Sequence, residues 1–231
     1  MEIFKRELVV PAEGLSAQAF FKHLQDIAGD QCVPLHLAGP DLEELGLMWV
    51  IIRYRVEVTR WPQPGERITL NTWPGRTRHG MMPRYYTVKD ADGALRIAAC
   101  AVWAVVDRHT RSMVNNEDYG ITLEALETGE EIRLPGAIKK FETTRSGSFV
   151  VPPEYLDSNG HMNNTHYYTV AEQCIRRDAR RDPLLSIATE HVSEALCGEE
   201  LTIRWGEQDG LYFLIGEHEG KTVFRMNLQY A

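Results

Sequence analysis

The stretch "DSNGHMNN", Asp157 to Asn164, sets a carboxylate, an amide and an imidazole at alternate positions: Asp157, Asn159 and His161. In an extended or turning segment, positions i, i+2 and i+4 project to one side. A carboxylate placed there can act as nucleophile or general base. Histidine, with an ordinary pKa of about 6.5, can shuttle a proton or hydrogen-bond an oxyanion near neutral pH. An asparagine amide orients water or a carbonyl without titrating. A helix expected over Asn163–Arg181 would add free N–H groups and the positive end of its dipole. The set fits a hydrolytic site. The plainer reading is a turn that starts a helix, because Asp, Ser, Asn and Gly are the usual residues of both.

Other reactive signatures are missing: the chain has no G-x-S-x-G, no P-loop and no G-x-G-x-x-G. Asp157, His161 and the nearby His166 lack a compact second cluster of ligands, so neither a metal nor another cofactor is expected. Cys32, Cys100, Cys174 and Cys197 are scattered without a C-x-x-C pair and read as reduced thiols. In "SIATEHVSEAL", Ser186–Leu196, read as one strand, Glu190 and Glu194 share a face and His191 takes the other. Glu194 is an unusual occupant of so apolar a strand.

What must position these groups is a chain of 231 residues, 43% hydrophobic and 25% charged. That is the profile of a soluble globular protein with one large domain or two small ones. A net charge of −8 disfavours nucleic-acid binding through a basic surface. No apolar run is long enough to span a bilayer, and "MEIFKRELVVP" is no secretory signal, so a cytoplasmic protein is expected. The local exception to the acidic balance is "RRDARR", with Arg176, Arg177, Arg180 and Arg181. It reads as a solvated helix end, where cations favour the dipole, or as a docking patch for an acidic partner.

Apolar residues at helical spacing predict a helix over Leu15–Ala38, with Ser16 as N-cap. Strand-like stretches follow at Trp49–Trp61, Arg67–Trp73 and Arg84–Asp107, the last folded back at the "DADG" turn. Thr122–Lys140, broken by Gly129, Pro135 and Gly136, is the best linker. The order then repeats, with a strand in Gly147–Leu156, a helix and four more strands. "LVVPAEGLS" (Leu8–Ser16) and "FVVPPEYLD" (Phe149–Asp157) agree without gaps at five of nine positions. Two copies of one α+β unit are therefore expected, each laying an antiparallel sheet on a helix. Continuing the alignment sets Ser16, Gln18 and Phe20 opposite Asp157, Asn159 and His161. The first copy begins its helix without the reactive groups, so the turn alone does not demand them.

"PPEYLDSNGHMNNTHYY" (Pro152–Tyr168) resembles the D-x-N-x-H-x-N-N segment of the acyl-acyl-carrier-protein thioesterases. "GLMWVIIRYRVEVTRWPQPGERITLNTWPG" (Gly46–Gly75) is similar to the strand pair of that family's first half. "AACAVWAVVDRHTRSMV" (Ala98–Val114) is similar to the strand and "T-R" turn that close it. The resemblance implies two tandem hotdog units, each an antiparallel sheet wrapped around a long helix: residues 1–130, a linker at 131–145, and 146–231. It implies hydrolysis of fatty acyl-acyl carrier protein, with Asp157, Asn159 and His161 catalytic. "EHVSEA" then assigns the family's glutamate role to Glu194. The plant pattern has cysteine directly after this glutamate; here it is Ala195, which speaks against a cysteine nucleophile there. The first unit would shape the acyl tunnel, with Met48, Trp49, Met81 and Met82 as candidate lining. Arg176, Arg177, Arg180 and Arg181 would dock the acidic carrier protein, and a homodimer is among the expectations. An acyl-CoA thioesterase and a non-catalytic acyl-thioester binder remain alternatives on the same scaffold, with a dehydratase or isomerase behind them.

Overall fold

In the computed structural model, which describes residues 2–176 and 183–231, ten strands build one antiparallel sheet. The first five are β1 (Phe4–Val9), β2 (Leu47–Val58), β3 (Arg67–Pro74), β4 (Met82–Asp90) and β5 (Leu95–Asp107). The rest are β6 (Arg145–Val150), β7 (Leu184–His191), β8 (Glu200–Gln208), β9 (Leu211–His218) and β10 (Lys221–Tyr230). Their order in the sheet is β1-β3-β4-β5-β2-β7-β10-β9-β8-β6. Read inward from either edge, the two halves have the same order, so the internal repeat is a repeat of topology. The halves meet where β2 pairs with β7, from Arg53 opposite Glu190 to Glu57 opposite Ser186.

Each half carries a helix: α1 (Ala17–Cys32) and α3 (His166–Arg176), with a short α2 (Gly39–Glu44) between α1 and β2. Ser16 caps α1 by accepting from the Ala19 N–H at 3.1 Å. The helix ends before the expected Ala38 because Pro34 follows Val33. Pro34 has no N–H to continue the helical ladder, and the chain passes through a 3-10 turn at Val33–Leu35 that ends on His36 with a φ of 55°. The buried face of α1 includes Phe20, Phe21, Leu24 and Ile27. The Phe21 ring stacks on Tyr168 of α3 with centroids 3.6 Å apart, and meets Tyr54 of β2 edge-on at 4.9 Å. One apolar core thus joins both helices and both halves of the sheet.

Residues 121–144 contain neither helix nor strand, yet they are anchored to the second half. Lys139 N–H donates to Asn227 Oδ1, Asn227 Nδ2 donates back to the Lys139 carbonyl, and Thr144 N–H donates to the Trp205 carbonyl. The expected strand Ser186–Leu196 stops at His191. Its last residues turn away, so strand parity does not relate Glu194 to Glu190. The helix expected from Asn163 begins at His166. None of the described helices is long and apolar enough to cross a membrane.

Candidate active site

The reactive turn is closed by its own backbone. Asp157 N–H donates to the His161 carbonyl at 2.9 Å, and Gly160 N–H donates to the Asp157 carbonyl at 3.1 Å. Asp157 Oδ1 also accepts from the Asn159 N–H at 2.8 Å, an Asx turn. Gly160 takes a φ of 83°, where a side chain would be strained. The turn that leads into α3 is held instead by Asn163, whose Oδ1 accepts from the Thr165 N–H and hydroxyl at 3.0 and 2.8 Å and whose carbonyl accepts from the His166 N–H at 3.0 Å. Asp157 is therefore not spent on starting the helix.

The turn docks on the segment after β7. His161 bridges to Leu196, and Met162 N–H donates to the Ala195 carbonyl at 2.8 Å. This pairing delivers Glu194, whose Oε2 lies 3.5 Å from His161 Nε2. Asp157 Oδ1 lies 3.7 Å from His161 Nδ1, a close approach rather than a hydrogen bond. The imidazole is thus flanked by a carboxylate on each nitrogen.

A residue that sequence reading did not assign completes the group. Arg111 Nη1 is 3.2 Å from His161 Nε2, and its Nε is 3.3 Å from Glu194 Oε1. Its only signal in the sequence was the "T-R" turn. Asp157, Asn159, His161, Glu194 and Arg111 share a cleft of about 430 Å³ with Met48, Trp49 and Met113. Tyr167 and His191 also line it. The His191 ring meets Tyr167 edge-on at 5.1 Å, its Nε2 is buried without a partner, and burial pushes its pKa down to about 4.

Glu190 is committed elsewhere. Burial would raise its pKa, but the guanidinium groups of Arg225 and Arg53 outweigh that and hold the carboxylate below its ordinary range. Trp49 also lines a second, apolar cavity of about 80 Å³, with Met82, Trp103 and the buried Arg84. Met81, grouped with the lining in the sequence reading, lies on an exposed turn and lines neither space. Arg177, Arg180 and Arg181 lie outside the described residues, as does the side chain of Arg176. Among the described residues, no three His, Cys, Asp or Glu side chains gather as a metal-binding set.

Residues 12–125 match the family model described as the acyl-ACP thioesterase N-terminal domain. A chloroplastic acyl-[acyl-carrier-protein] hydrolase of Cuphea viscosissima is 26% identical over 208 residues, covering 75% of this chain and 50% of that protein. The chloroplastic palmitoyl-acyl carrier protein thioesterase of Arabidopsis thaliana is 24% identical, covering 82% and 49%. The chain spans about half the length of these curated relatives. Among solved structures, an acyl-ACP thioesterase of Bacteroides thetaiotaomicron superposes with a TM-score of 0.86 at 20% identity, over 99% of this chain and 98% of that one. The 12:0-ACP thioesterase of Umbellularia californica gives 0.84 at 19%, over 99% and 97%. At such identities the structures establish the fold: the two α+β copies that the repeat predicted are the tandem hotdog units that the family resemblance implied.

Proposed function

From the match of residues 12–125 to the acyl-ACP thioesterase N-terminal domain, we propose that the chain belongs to the acyl-ACP thioesterase family and hydrolyses the thioester of a fatty acyl chain carried on acyl carrier protein. The observation that carries this reading is the convergence of the Asp157 and Glu194 carboxylates, far apart in sequence, on the two nitrogens of the His161 imidazole in a cleft with apolar walls. The products are a free fatty acid and the carrier's thiol.

The thioester carbonyl is placed beside Asn159, whose amide can donate to the oxygen as it gains charge. Asp157 either activates a water, oriented by Glu194, that attacks the carbonyl carbon, or attacks it directly to form an acyl anhydride that the Glu194-oriented water then hydrolyses. The C–S bond breaks, and His161 delivers a proton to the departing sulfur. With alanine at position 195, no cysteine competes for the nucleophile's role there. Met48 and Trp49 at the cleft, and Met82 beyond Trp49, are assigned to the acyl chain, which suits flexible thioether and indole walls.

Acyl carrier protein is the proposed partner, with the arginines at 176, 177, 180 and 181 as its docking patch. Reversing their charge should raise the KM for carrier-bound substrate and spare small thioesters. The division into residues 1–130, 131–145 and 146–231, a homodimer and a cytoplasmic setting belong to the same proposal. The deciding assay follows free thiol release from octanoyl to stearoyl carrier thioesters, and from the same acyl groups on CoA. Turnover on the carrier, exceeding that on CoA, supports the proposal. Preference for CoA replaces the carrier with CoA, and tight binding without turnover makes the protein a sensor.

A further inference from the structure

Arg111 comes from the half of the chain that contributes none of Asp157, Asn159, His161 or Glu194, yet its guanidinium touches two of them. Besides His161 Nε2 at 3.2 Å and Glu194 Oε1 at 3.3 Å, its Nη1 lies 3.4 Å from Met48 Sδ. Glu194 Oε2 is 3.5 Å from the same His161 Nε2. That nitrogen can accept a hydrogen bond from Arg111 or, when protonated, donate one to Glu194. It cannot do both. A guanidinium has no lone pair to offer, so the Arg111 contact requires an unprotonated Nε2. The neutral ring then carries its proton on Nδ1, the atom that faces Asp157.

The backbone at Arg111 points the same way. Its φ is 56°, a left-handed conformation that strains a side-chain-bearing residue. The turn is tied by Arg111 N–H to the Asp107 carbonyl at 3.0 Å. Asp107 Oδ1 accepts from the N–H groups of His109 and Thr110 at 2.9 and 2.7 Å. A glycine would fit this position without strain. An arginine stands there, aimed into the cleft.

We propose that Arg111 is a positioning residue that selects the Nδ1–H form of His161 and holds Glu194 against it, so that the reactive group is assembled from both units. Its effect on turnover rests on the thioesterase reading; its effect on His161 does not. During the reaction, a proton taken up at Nε2 must displace the Arg111 contact and lie against Glu194. Arg111 therefore favours its onward transfer to the sulfur of the departing thiolate, which returns the ring to its neutral form.

The test compares the full chain with Arg111→Lys, Arg111→Met and Arg111→Gly, the last relieving the backbone strain. Nitrogen-resolved histidine NMR of the substrate-free protein, with His161→Gln to assign the signal, should show the Nδ1–H form in the parent and its loss in Arg111→Met. The kcat of Arg111→Met should fall by about 10- to 100-fold, the scale of one charge-assisted hydrogen bond. The acid limb of its kcat profile should move to higher pH, because a cation that opposes protonation is gone. Arg111→Lys keeps the charge and should keep that limb. Added guanidinium ion should restore part of the Arg111→Gly activity. Retention of the Nδ1–H form in Arg111→Met, with an unmoved acid limb and no rescue, would reduce Arg111 to a brace for its turn. An inactive parent protein would overturn the thioesterase reading while leaving the NMR result to judge Arg111.

Discussion

Arg53 on β2 and Glu190 on β7 stand directly opposite each other at the seam between the two halves, with the guanidinium Nη2 and Nε 2.5 and 3.2 Å from Glu190 Oε1. Arg225 of β10 takes the other oxygen at 2.8 Å. One carboxylate therefore holds two cations together in a half-buried place. Glu190→Gln leaves both guanidinium groups facing each other without a counter-charge. It should destabilise the chain by about 1–2 kcal/mol in a urea titration, after discounting for solvent at Arg53. Arg53→Met added to Glu190→Gln should recover part of the loss, because the two changes share one contact. Activity should survive, since neither residue lines the cleft.

Glu194, four residues along from Glu190, behaves differently. Asp157→Asn, His161→Ala and Glu194→Ala should each lower kcat by about 10²- to 10⁴-fold, the usual scale for a group handling protons in the transition state. The melting temperatures of the Asp157 and Glu194 variants should stay near the parent's, because these side chains keep about a quarter to a third of their surface exposed. Full activity of all three on acyl carrier thioesters would remove them from the mechanism.

His191 supplies a pH dependence of stability. Its pKa in the folded chain is about 4, against an ordinary 6.5, because its ring nitrogen is buried without a partner. Between those values the unfolded chain binds the proton and the folded chain does not, so stability falls as the pH falls from 6.5 towards 4. His191→Phe should flatten that part of the curve of Tm against pH. A variant whose curve parallels the parent's through the window would assign the loss to other groups.

The close seating of residues 141–144 on β8 is also testable. A Cβ at Gly206 would lie 2.2 Å from the Glu142 carbonyl oxygen, a clash with backbone that no rotamer change relieves. Gly206→Ala should cost about 1–3 kcal/mol by displacing the segment or the strand. Gly29→Ala, in α1 with nothing within 4 Å of the added carbon, is the control. It should be neutral or stabilising by up to about 1 kcal/mol.

Much of the site was legible in one dimension because its chemistry is local. Asp157, Asn159 and His161 lie within a single turn, and their absence from the sister copy marked them as more than a turn requires. Glu194 was legible through the family resemblance, although the strand proposed to carry it ends at His191. Met81 shows the limit of residue type. It is as apolar as Met82, but the turn it occupies faces solvent, and nothing in the neighbouring letters distinguishes the two.

The sequence by itself determined the repeat, the alternation that makes sheets, the helices with their cap at Ser16, and the turn that concentrates the polar groups. These follow from periodicity and backbone preference, which act over a few residues. Only the tertiary structure decided that the two sheets join through β2 and β7, and that the segment after β7 pairs with His161 and Met162. It also decided that Arg111 reaches across from the other unit to the same imidazole. Those contacts depend on where separate elements come to rest once the shared core of Phe21, Tyr54 and Tyr168 is closed, and no local pattern records that geometry.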